Sequence, residues 1–558
     1  MIQSFVREML VNMTLVLTAS CGIRLRRCEA RSRGGLTRIS KLWGPRPSRI
    51  RFPLESDATN MVAVKTAHNQ KGVSNVIYAI VAFVSMATLL PFLNESIGRD
   101  EAASLYSAGL SWTSLWHESF VVDRVLLAYY VLLHFWLELS YSVDWARALS
   151  LLAYGLTVYF VGVITRSMAG FWCGLLAAAL TCTNPSMTAS ALDARPYALA
   201  FLVSVLSVAA LLKWFDDGEL RSLWIFGFLA IAVLVLQMFC VLAPLSALGA
   251  CAALKPRMFR RQWRQVLPPI TILAVAGVTF LALVARQQGQ VAWIPGLTPK
   301  FLAEDLEGPA SSVGGHLIYP ALIAALGLLS LVGCILGWRR HSLRLSRMEV
   351  ERIAVLLSWA AVPTVILVLI TAVKPVYVER YITASVPGMA IALALLITYA
   401  MRALGAPLPL AERTIVGGVV IAGLVILIAN SVAASSSPGE NLKGATQYIT
   451  RNAGSTSEIA VPGHFLTGGV EYYLDRGDSP LRLWPQMSSQ RFDGGMILRE
   501  SEGTFSDAPN NVWLVDDRSV TGTNGFISSL ENHGFFRVNK KLFFGVSVIH
   551  FRRHHHAQ

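Results

Sequence analysis

Long apolar segments recur through most of this chain, and they constrain its fold more than any other feature. Apolar stretches of about 15 to 25 residues follow one another between residues 76 and 433, which is the length range of membrane-crossing helices. Only 15% of the 558 residues are charged, whereas about 25% are charged in a soluble globular protein. The sequence therefore predicts a polytopic membrane protein and excludes an ordinary soluble enzyme.

The net charge of +14 raises the question of a nucleic-acid partner, but its distribution favours a different explanation. Residues 1–75 carry 13 Lys and Arg against 4 Asp and Glu, residues 76–433 carry 23 against 18, and residues 434–558 carry 12 of each. Cations collect in the cytoplasmic loops of membrane proteins. We therefore expect membrane lipids, and no nucleic acid, among the partners.

Three regions follow from these shifts in composition. Residues 1–75 are predicted to be a basic, disordered cytoplasmic tail, because the Arg-rich stretch at 24–51 matches neither a cleavable signal nor a packed domain. Met61 would make a natural start, so an alternative interpretation is that residues 1–60 are a mis-assigned extension. Residues 76–433 are predicted to form the transmembrane domain, and residues 434–558 a small external α/β domain.

In the C-terminal region, short apolar segments alternate with amphipathic segments. Strands are predicted at 458–461, 512–515 and 546–551, with helices or turns between them. This region has no Gly-rich phosphate loop, so nucleotide binding there is unsupported. The seven cysteines of the chain include no CxxC pair, which argues against a disulfide framework or a zinc site.

The predicted fold is mainly α, with about eleven transmembrane helices. They lie at 76–93, 147–164, 171–184, 197–212, 223–237, 240–254, 266–285, 316–337, 353–372, 382–400 and 414–432. The apolar segment 125–139 has only about 15 residues, fewer than the roughly 20 that cross a bilayer. We expect it to lie along the outer surface, as an interfacial helix in a long first external loop. The strongly basic loops 255–264 and 339–352 then fall on the cytoplasmic side, together with the N-terminus.

Under this topology, acids and arginines from four separate segments converge on the external face. Ionisable residues at the ends of membrane helices are costly and often mark function. They are Asp100 and Glu101 after the first span, Asp123 in the same loop, Asp193, Arg195 and Tyr197 before the span at 197, and Arg380 and Tyr381 before the span at 382.

Each of these groups has two interpretations. Asp100 and Glu101 are either part of a solvated loop or carboxylates that act as a general base. Arg195 and Arg380 are either interfacial anchors that pair with neighbouring acids or guanidinium groups that bind a phosphate. Asp100, Glu101 and Asp123 also have the chemistry to hold a divalent cation, so metal dependence is left open.

Two weaker signals lie in the predicted external loops. The segment that contains Tyr129, Tyr130 and Trp136 has the aromatic content of an interfacial helix. Further along, Gln287, Gln290 and Trp293 form a set of stacking and hydrogen-bonding side chains that is typical of sugar or acceptor contact, with Gln288 beside them.

Five strings, taken in order, resemble a known family. They are GRDEAASLYSA at residue 98, VVDRVLLAYYVLLHFWLEL at 121, DARPYAL at 193, RQQGQVAWIP at 286 and ERYITASVPG at 379. Their order and spacing are similar to those of the glycosyltransferase C superfamily, bacterial integral-membrane enzymes related to dolichyl-phosphate-mannose protein mannosyltransferases. Actinobacterial mannosyltransferase-like members look most alike. The resemblance covers residues 76–432.

The resemblance implies an enzyme that transfers a sugar from a polyprenyl-phosphate donor to an acceptor hydroxyl at the external face of the cell membrane. Mannose is the sugar that the resemblance favours. The acceptor would be a lipoglycan, a polysaccharide or a protein of the envelope. Asp100 would be the base, with Glu101 as its acidic neighbour, and Arg195 and Arg380 would bind the donor phosphate. Asp123, Asp193, Tyr197 and Tyr381 would support the site. One departure is Leu126, where family members often carry a histidine.

Two alternatives from other functional classes stay open on the sequence. A lipid-linked sugar transporter or flippase would also have many spans and buried polar groups, although internal repeats are expected of it and none is found. A non-catalytic envelope scaffold would use its C-terminal domain to bind glycans.

Overall fold

The computed structural model describes residues 55–121, 124–285, 318–339, 345–403, 417–418, 423, 440–484 except 455, 463 and 478, 509–517 and 523–554. The chain divides into two compact units, Met1–Gln70 and Lys71–Gln558. In the first unit, the described residues begin at residue 55, which is the first residue of a helix. The predicted site residues that the structure describes all lie in the second unit.

Helices dominate the described residues. In chain order they are α1 Glu55–Leu89, α2 Arg99–Gly109, α3 Trp112–Val121, α4 Leu127–Leu137, α5 Val143–Ala169, α6 Phe171–Cys182, α7 Pro185–Ala191, α8 Tyr197–Asp217, α9 Leu220–Leu236, α10 Leu242–Leu254, α11 Pro256–Arg261, α12 Trp263–Val284, α13 Ile318–Arg339, α14 Arg347–Thr371, α15 Glu379–Ile382, α16 Val386–Ala403, α17 Leu442–Asn452, α18 His464–Arg476 and α19 Thr523–Asn532. The mainly helical prediction is confirmed.

Within the described residues, six helical segments are long and apolar enough to cross a membrane. They are Gly72–Phe92, Val143–Ala169, Tyr197–Asp217, Trp263–Leu283, Arg347–Thr371 and Arg380–Ala403. The predicted spans at 171–184, 223–237, 240–254 and 316–337 correspond to shorter apolar helices. The predicted span at 414–432 lies almost wholly outside the described residues. The protein is therefore a multi-pass membrane protein.

The loop after α1 contains three helices, α2, α3 and α4. Helix α4 has 11 residues, so it is about 16 Å long and too short to cross a hydrocarbon core of about 30 Å. Two indoles fix it to α5: Trp136 Nε1 donates to the Trp145 carbonyl at 2.7 Å, and Trp145 Nε1 donates to the Trp136 carbonyl at 2.8 Å. Their rings are stacked with centroids 4.6 Å apart.

The C-terminal part forms a mixed sheet flanked by helices, as the sequence predicts. Its strands are β1 Ser457–Ala460, β2 Arg482–Leu483, β3 Asn511–Asp517, β4 Phe535–Leu542 and β5 Val546–Arg553. Their spatial order is β2-β1-β3-β5-β4, with β1 parallel to β2 and β3, and β5 antiparallel to β3 and β4. One face of the sheet packs against α17 and α18 through Ile449, Leu466 and Val470, which are fully buried.

Helix α18 also packs against α2 in the first loop. A Cβ atom at Gly469 would lie 3.5 Å from Ala102 Cβ and 3.6 Å from Ile97 Cδ1. These are ordinary van der Waals distances, whereas the same Cβ would lie 2.6 Å from Leu442 Cδ1, so the glycine makes room for this side chain of α17. The C-terminal sheet domain and the helix that carries Asp100 are consequently joined by direct packing.

Candidate functional site

Three charged residues that are far apart in the sequence meet at one place. Asp100 is the second residue of α2, Arg195 lies in the turn before α8, and Arg380 lies in α15. Arg380 Nη1 is 2.7 Å from Asp100 Oδ2, and Arg195 Nη2 is 3.9 Å from the same oxygen. The structure therefore brings together the predicted base and both predicted phosphate-binding arginines.

The two guanidinium groups control the ionisation of Asp100. Enclosure by protein would raise the pKa of this carboxyl, but the positive charges of Arg195 and Arg380, with the hydrogen bond from Arg380, outweigh it and lower the pKa. The Asp100 side chain remains 43% exposed. It is thus an ionised carboxylate that a reacting molecule can reach.

The Arg195 guanidinium group is hydrogen-bonded at Nη1, whereas its Nε is not. Its Nη1 donates to the Asp100 backbone carbonyl and to Ser104 Oγ, both at 3.2 Å. Its side chain is 11% exposed, and among the described residues its buried Nε has no hydrogen-bond partner. An N–H donor left unused beside a charged cluster suits an incoming anion.

The predicted aromatic neighbours of the arginines also lie at this place. The Arg380 guanidinium carbon is 5.4 Å from the centre of the Tyr197 ring, which is a cation–π contact. Tyr381 stacks against Phe239 with ring centroids 4.7 Å apart. Tyr197 is buried, so its ring is an apolar surface against which the Arg380 guanidinium packs.

Glu101 has a very different environment from its neighbour Asp100. Its side chain is 6% exposed and forms an ion pair with Arg147 of α5, which donates from Nε to Oε1 at 2.7 Å and from Nη2 to Oε2. Oε1 also accepts from the Ala194 N–H at 2.8 Å, and Oε2 from the Gly98 N–H at 3.1 Å. Arg147 further donates to carbonyls at 93, 95 and 96. This geometry fits a structural anchor better than a reacting group.

Asp193 lies in the same electrostatic environment as the cluster. Burial and the negative charge of Glu101 raise its pKa to about 7, against the opposing charge of Arg195. The raised pKa favours the protonated form of Asp193, whereas the lowered pKa of Asp100 favours its ionised form.

The other predicted site residues fall outside the described residues. These are Asp123, Gln287, Gln290 and Trp293, together with Gln288. Within the part of the chain that is described, no group of three or more His, Cys, Asp or Glu side chains is placed to hold a metal ion.

Sequence reasoning missed Arg147 and two residues of the C-terminal domain, Glu440 and Tyr473. Glu440 binds the backbone and side chain of Arg99, and Tyr473 Oη accepts from the Ile97 N–H at 2.9 Å. A signal existed for Arg147, because it is the first residue of the apolar span predicted at 147–164, where a charge is costly. Glu440 and Tyr473 carry no such local signal, since their partners are more than 340 residues away in the chain.

Comparisons with known proteins rest on structure alone. No known protein-family profile and no curated protein sequence matches this chain. The structure is similar to ArnT from Cupriavidus metallidurans in the apo state, with a TM-score of 0.54, 12% identity, and 87% of this chain and 98% of ArnT covered. ArnT bound to undecaprenyl phosphate is similar with a TM-score of 0.55, 12% identity, and 85% and 97% covered.

A further match is the arabinosyltransferase EmbB from Mycobacterium smegmatis, with a TM-score of 0.40 and 14% identity over 73% of this chain and 44% of EmbB. The two ArnT structures are covered almost end to end. This chain therefore has the fold of ArnT, in agreement with the fold that the sequence resemblance implies.

Proposed function

We propose that this chain is an inverting glycosyltransferase that transfers a sugar from a polyprenyl-phosphate carrier to an acceptor hydroxyl. The observation that carries the proposal is the cluster of Asp100, Arg195 and Arg380. One ionised, accessible carboxylate there contacts two guanidinium groups, on the fold of a protein whose structure was obtained with undecaprenyl phosphate.

The reaction needs one base and one anion-binding site. Asp100 removes the proton from the acceptor hydroxyl, whose oxygen attacks the anomeric carbon of the sugar from the face opposite the phosphate. The bond between this carbon and the phosphate oxygen breaks, and its electron pair leaves with the phosphate. Arg195 and Arg380 stabilise the charge that develops there. A phosphate leaving group needs no proton, so a second carboxylic acid is unnecessary.

The ion pair between Arg380 and Asp100 gives this mechanism an order of events. Before the donor binds, the arginines lower the pKa of Asp100 and make it a weak base. A donor phosphate competes for the same guanidinium groups, and the Arg195 Nε offers it a donor that the described residues leave unused. As the arginines turn to the phosphate, Asp100 becomes more basic at the moment when a base is needed.

For the sugar and acceptor, the proposal rests on the sequence resemblance. We propose mannose as the sugar and a hydroxyl of an envelope lipoglycan, polysaccharide or protein as the acceptor. The reaction would occur at the external face of the cell membrane, with the N-terminus cytoplasmic and the C-terminal domain external.

Asp100→Asn tests the proposed base. The amide has the size of the carboxylate but cannot accept the proton, so transfer from a radiolabelled polyprenyl-phosphate sugar to membrane acceptors should fall by about 100-fold or more. Donor binding should stay close to that of the wild type, because both arginines remain. The matched control is Asp217→Asn, at the exposed end of α8, which should keep wild-type transfer.

Full transfer by Asp100→Asn would rule out Asp100 as the base. A wild-type chain that moves the lipid-linked sugar across a membrane without transferring it would support the transporter alternative instead.

A further inference from the structure

The first turn of α2, which carries Asp100, is held by residues from the C-terminal domain. A helix begins with backbone N–H groups that have no partner inside the helix. Here the Arg99 N–H donates to Glu440 Oε2 at 2.8 Å, and the preceding Ile97 N–H donates to Tyr473 Oη at 2.9 Å. Between them, the Gly98 N–H donates to Glu101. Two of these three successive groups therefore depend on a different domain.

A charge pair strengthens the contact. Arg99 Nη2 is 2.6 Å from Glu440 Oε1, and the two side chains are only 27% and 18% exposed. The carboxylate of Glu440 thus binds the backbone and the side chain of the same residue at once. A negative charge at a helix N-terminus is favourable by itself, because of the positive end of the helix dipole.

Neighbouring bonds fix the same stretch of chain before α2. Ser96 Oγ donates to the Glu440 carbonyl at 2.9 Å and accepts from the Lys443 N–H at 3.1 Å. Lys443 Nζ lies 2.9 Å from the carbonyl of Asn94. On α18, Tyr472 Oη accepts from the Val143 N–H at the start of α5, at 3.1 Å. The C-terminal domain therefore contacts α2, which carries Asp100 and Glu101, and α5, which binds Glu101 through Arg147.

We propose that Glu440 and Tyr473 are positioning residues, through which the C-terminal domain fixes the first turn of α2 and with it the carboxylate of Asp100. This inference rests on the proposed function, in which Asp100 is the base. Arg147 holds the same turn from the membrane side through Glu101. Loss of Glu440 leaves that membrane-side anchor intact, so α2 stays in place while its first residues gain freedom.

Glu440→Ala and Tyr473→Phe in the full chain test the kinetic part of the inference. A displacement of about 1 Å at a catalytic group costs up to about 100-fold in rate, so kcat should fall by about 10-fold or more, while the donor KM stays within about 2-fold of wild type. Glu440→Gln keeps an oxygen for the Arg99 N–H and should recover much of the lost kcat. The matched control is Glu531→Ala, which removes another Arg–Glu pair of the same domain, at 2.9 Å from Arg537, and should change neither constant.

Hydrogen–deuterium exchange tests the structural part without any activity. In Glu440→Ala, the Arg99 amide should exchange at least about 10-fold faster than in wild type, because its acceptor is lost, while Glu531→Ala should leave it unchanged. A wild-type chain with no transferase activity would refute the proposed function, and the exchange result would still decide whether the contact holds α2. Wild-type exchange in Glu440→Ala, or wild-type kcat despite faster exchange, would overturn the positioning role. The positioning role would also be overturned if the number of donor-binding sites fell as much as kcat, because the loss would then come from unfolded protein.

Discussion

Adjacent residues in α2 have opposite environments, and this contrast assigns their roles. Successive side chains on a helix point about 100° apart. Asp100 therefore points to the accessible cluster with Arg195 and Arg380, whereas Glu101 points into the protein and binds Arg147. The sequence predicts that this acidic pair matters, but it treats the two carboxylates alike, because only tertiary packing separates them. Glu101 as a catalytic residue stays a prediction, and its contacts favour a supporting role.

Asp193 leads to a prediction about stability. Burial and the charge of Glu101 raise its pKa to about 7, whereas an unperturbed aspartate has a pKa of about 3.9. Between these values the folded chain holds a proton that the unfolded chain has lost, so the free energy of unfolding falls as the pH rises. Asp193→Asn is neutral at every pH. It should raise Tm relative to wild type at about pH 8, and much less at about pH 5.

Thermal unfolding of the purified protein in detergent, followed by tryptophan fluorescence, measures this difference. Asp217→Asn at the exposed end of α8 should show the same dependence on pH as wild type. If Asp193→Asn keeps the wild-type dependence, the proton is not held on this residue.

The residues that support the site were harder to predict than those that form it. Asp100, Arg195 and Arg380 each lie at the end of an apolar span, where the cost of a charge makes them conspicuous. Glu440 and Tyr473 lie in a polar domain in which carboxylates and tyrosines are ordinary. Their importance depends on contacts with Ile97 and Arg99 across more than 340 residues of chain, and no local pattern records such contacts.

At the scale of elements, periodicity predicted the helices well but missed both edge strands of the sheet, β2 and β4. The predicted strands at 458–461, 512–515 and 546–551 correspond to β1, β3 and β5, which have buried side chains. The edge strand β2 has only two residues, too few for a periodic pattern. The other edge strand, β4, has eight residues. Only Phe535 in it is buried, so it lacks the apolar alternation that marks a half-buried strand. An edge strand needs no second neighbour, and its polar side chains are therefore tolerated.

Helix packing in the membrane region depends on glycines that bring α1, α5 and α6 together. A Cβ atom at Gly174 of α6 would lie 2.5 Å from the Gly162 carbonyl oxygen of α5 and 2.5 Å from Tyr78 Oη of α1. Tyr78 in turn donates to the Phe171 carbonyl at 2.9 Å. Small residues allow such close approach between membrane helices.

Gly174→Ala should therefore destabilise the protein. The backbone oxygen of Gly162 cannot move away as a side chain could, and overpacking of this kind costs about 1–3 kcal/mol. Tm in detergent should fall by several degrees, and the Tyr78 hydrogen bond should be lost. Gly249→Ala is the matched control, since nothing lies within 4 Å of a Cβ there. A Gly174→Ala protein as stable as wild type would contradict this packing.

On the scale of the whole molecule, the two ends of the membrane helices differ in chemistry. Arg195 and Asp216 lie at opposite ends of α8, and Glu351 and Arg380 are separated by the length of α14. At the end away from the site, Lys255 is 3.6 Å from Glu351, and Arg352 is 2.7 Å from Asp216. The basic loops therefore meet at one end and the Asp100 cluster lies at the other.

This polarity leads to the last prediction, which concerns orientation. The loop at 255–264 carries five cations, so the positive-inside rule places it in the cytoplasm. The C-terminal domain contacts α2 through Glu440, at the opposite end, and should therefore lie outside.

In intact cells, a membrane-impermeant thiol reagent should label Lys540→Cys, which is exposed on β4, but not Arg260→Cys, which is exposed on α11. Permeabilised cells should allow both to react, with the wild-type chain and its seven cysteines as the blank. Labelling of Arg260→Cys in intact cells would reverse the orientation and remove the external reaction from the proposed function.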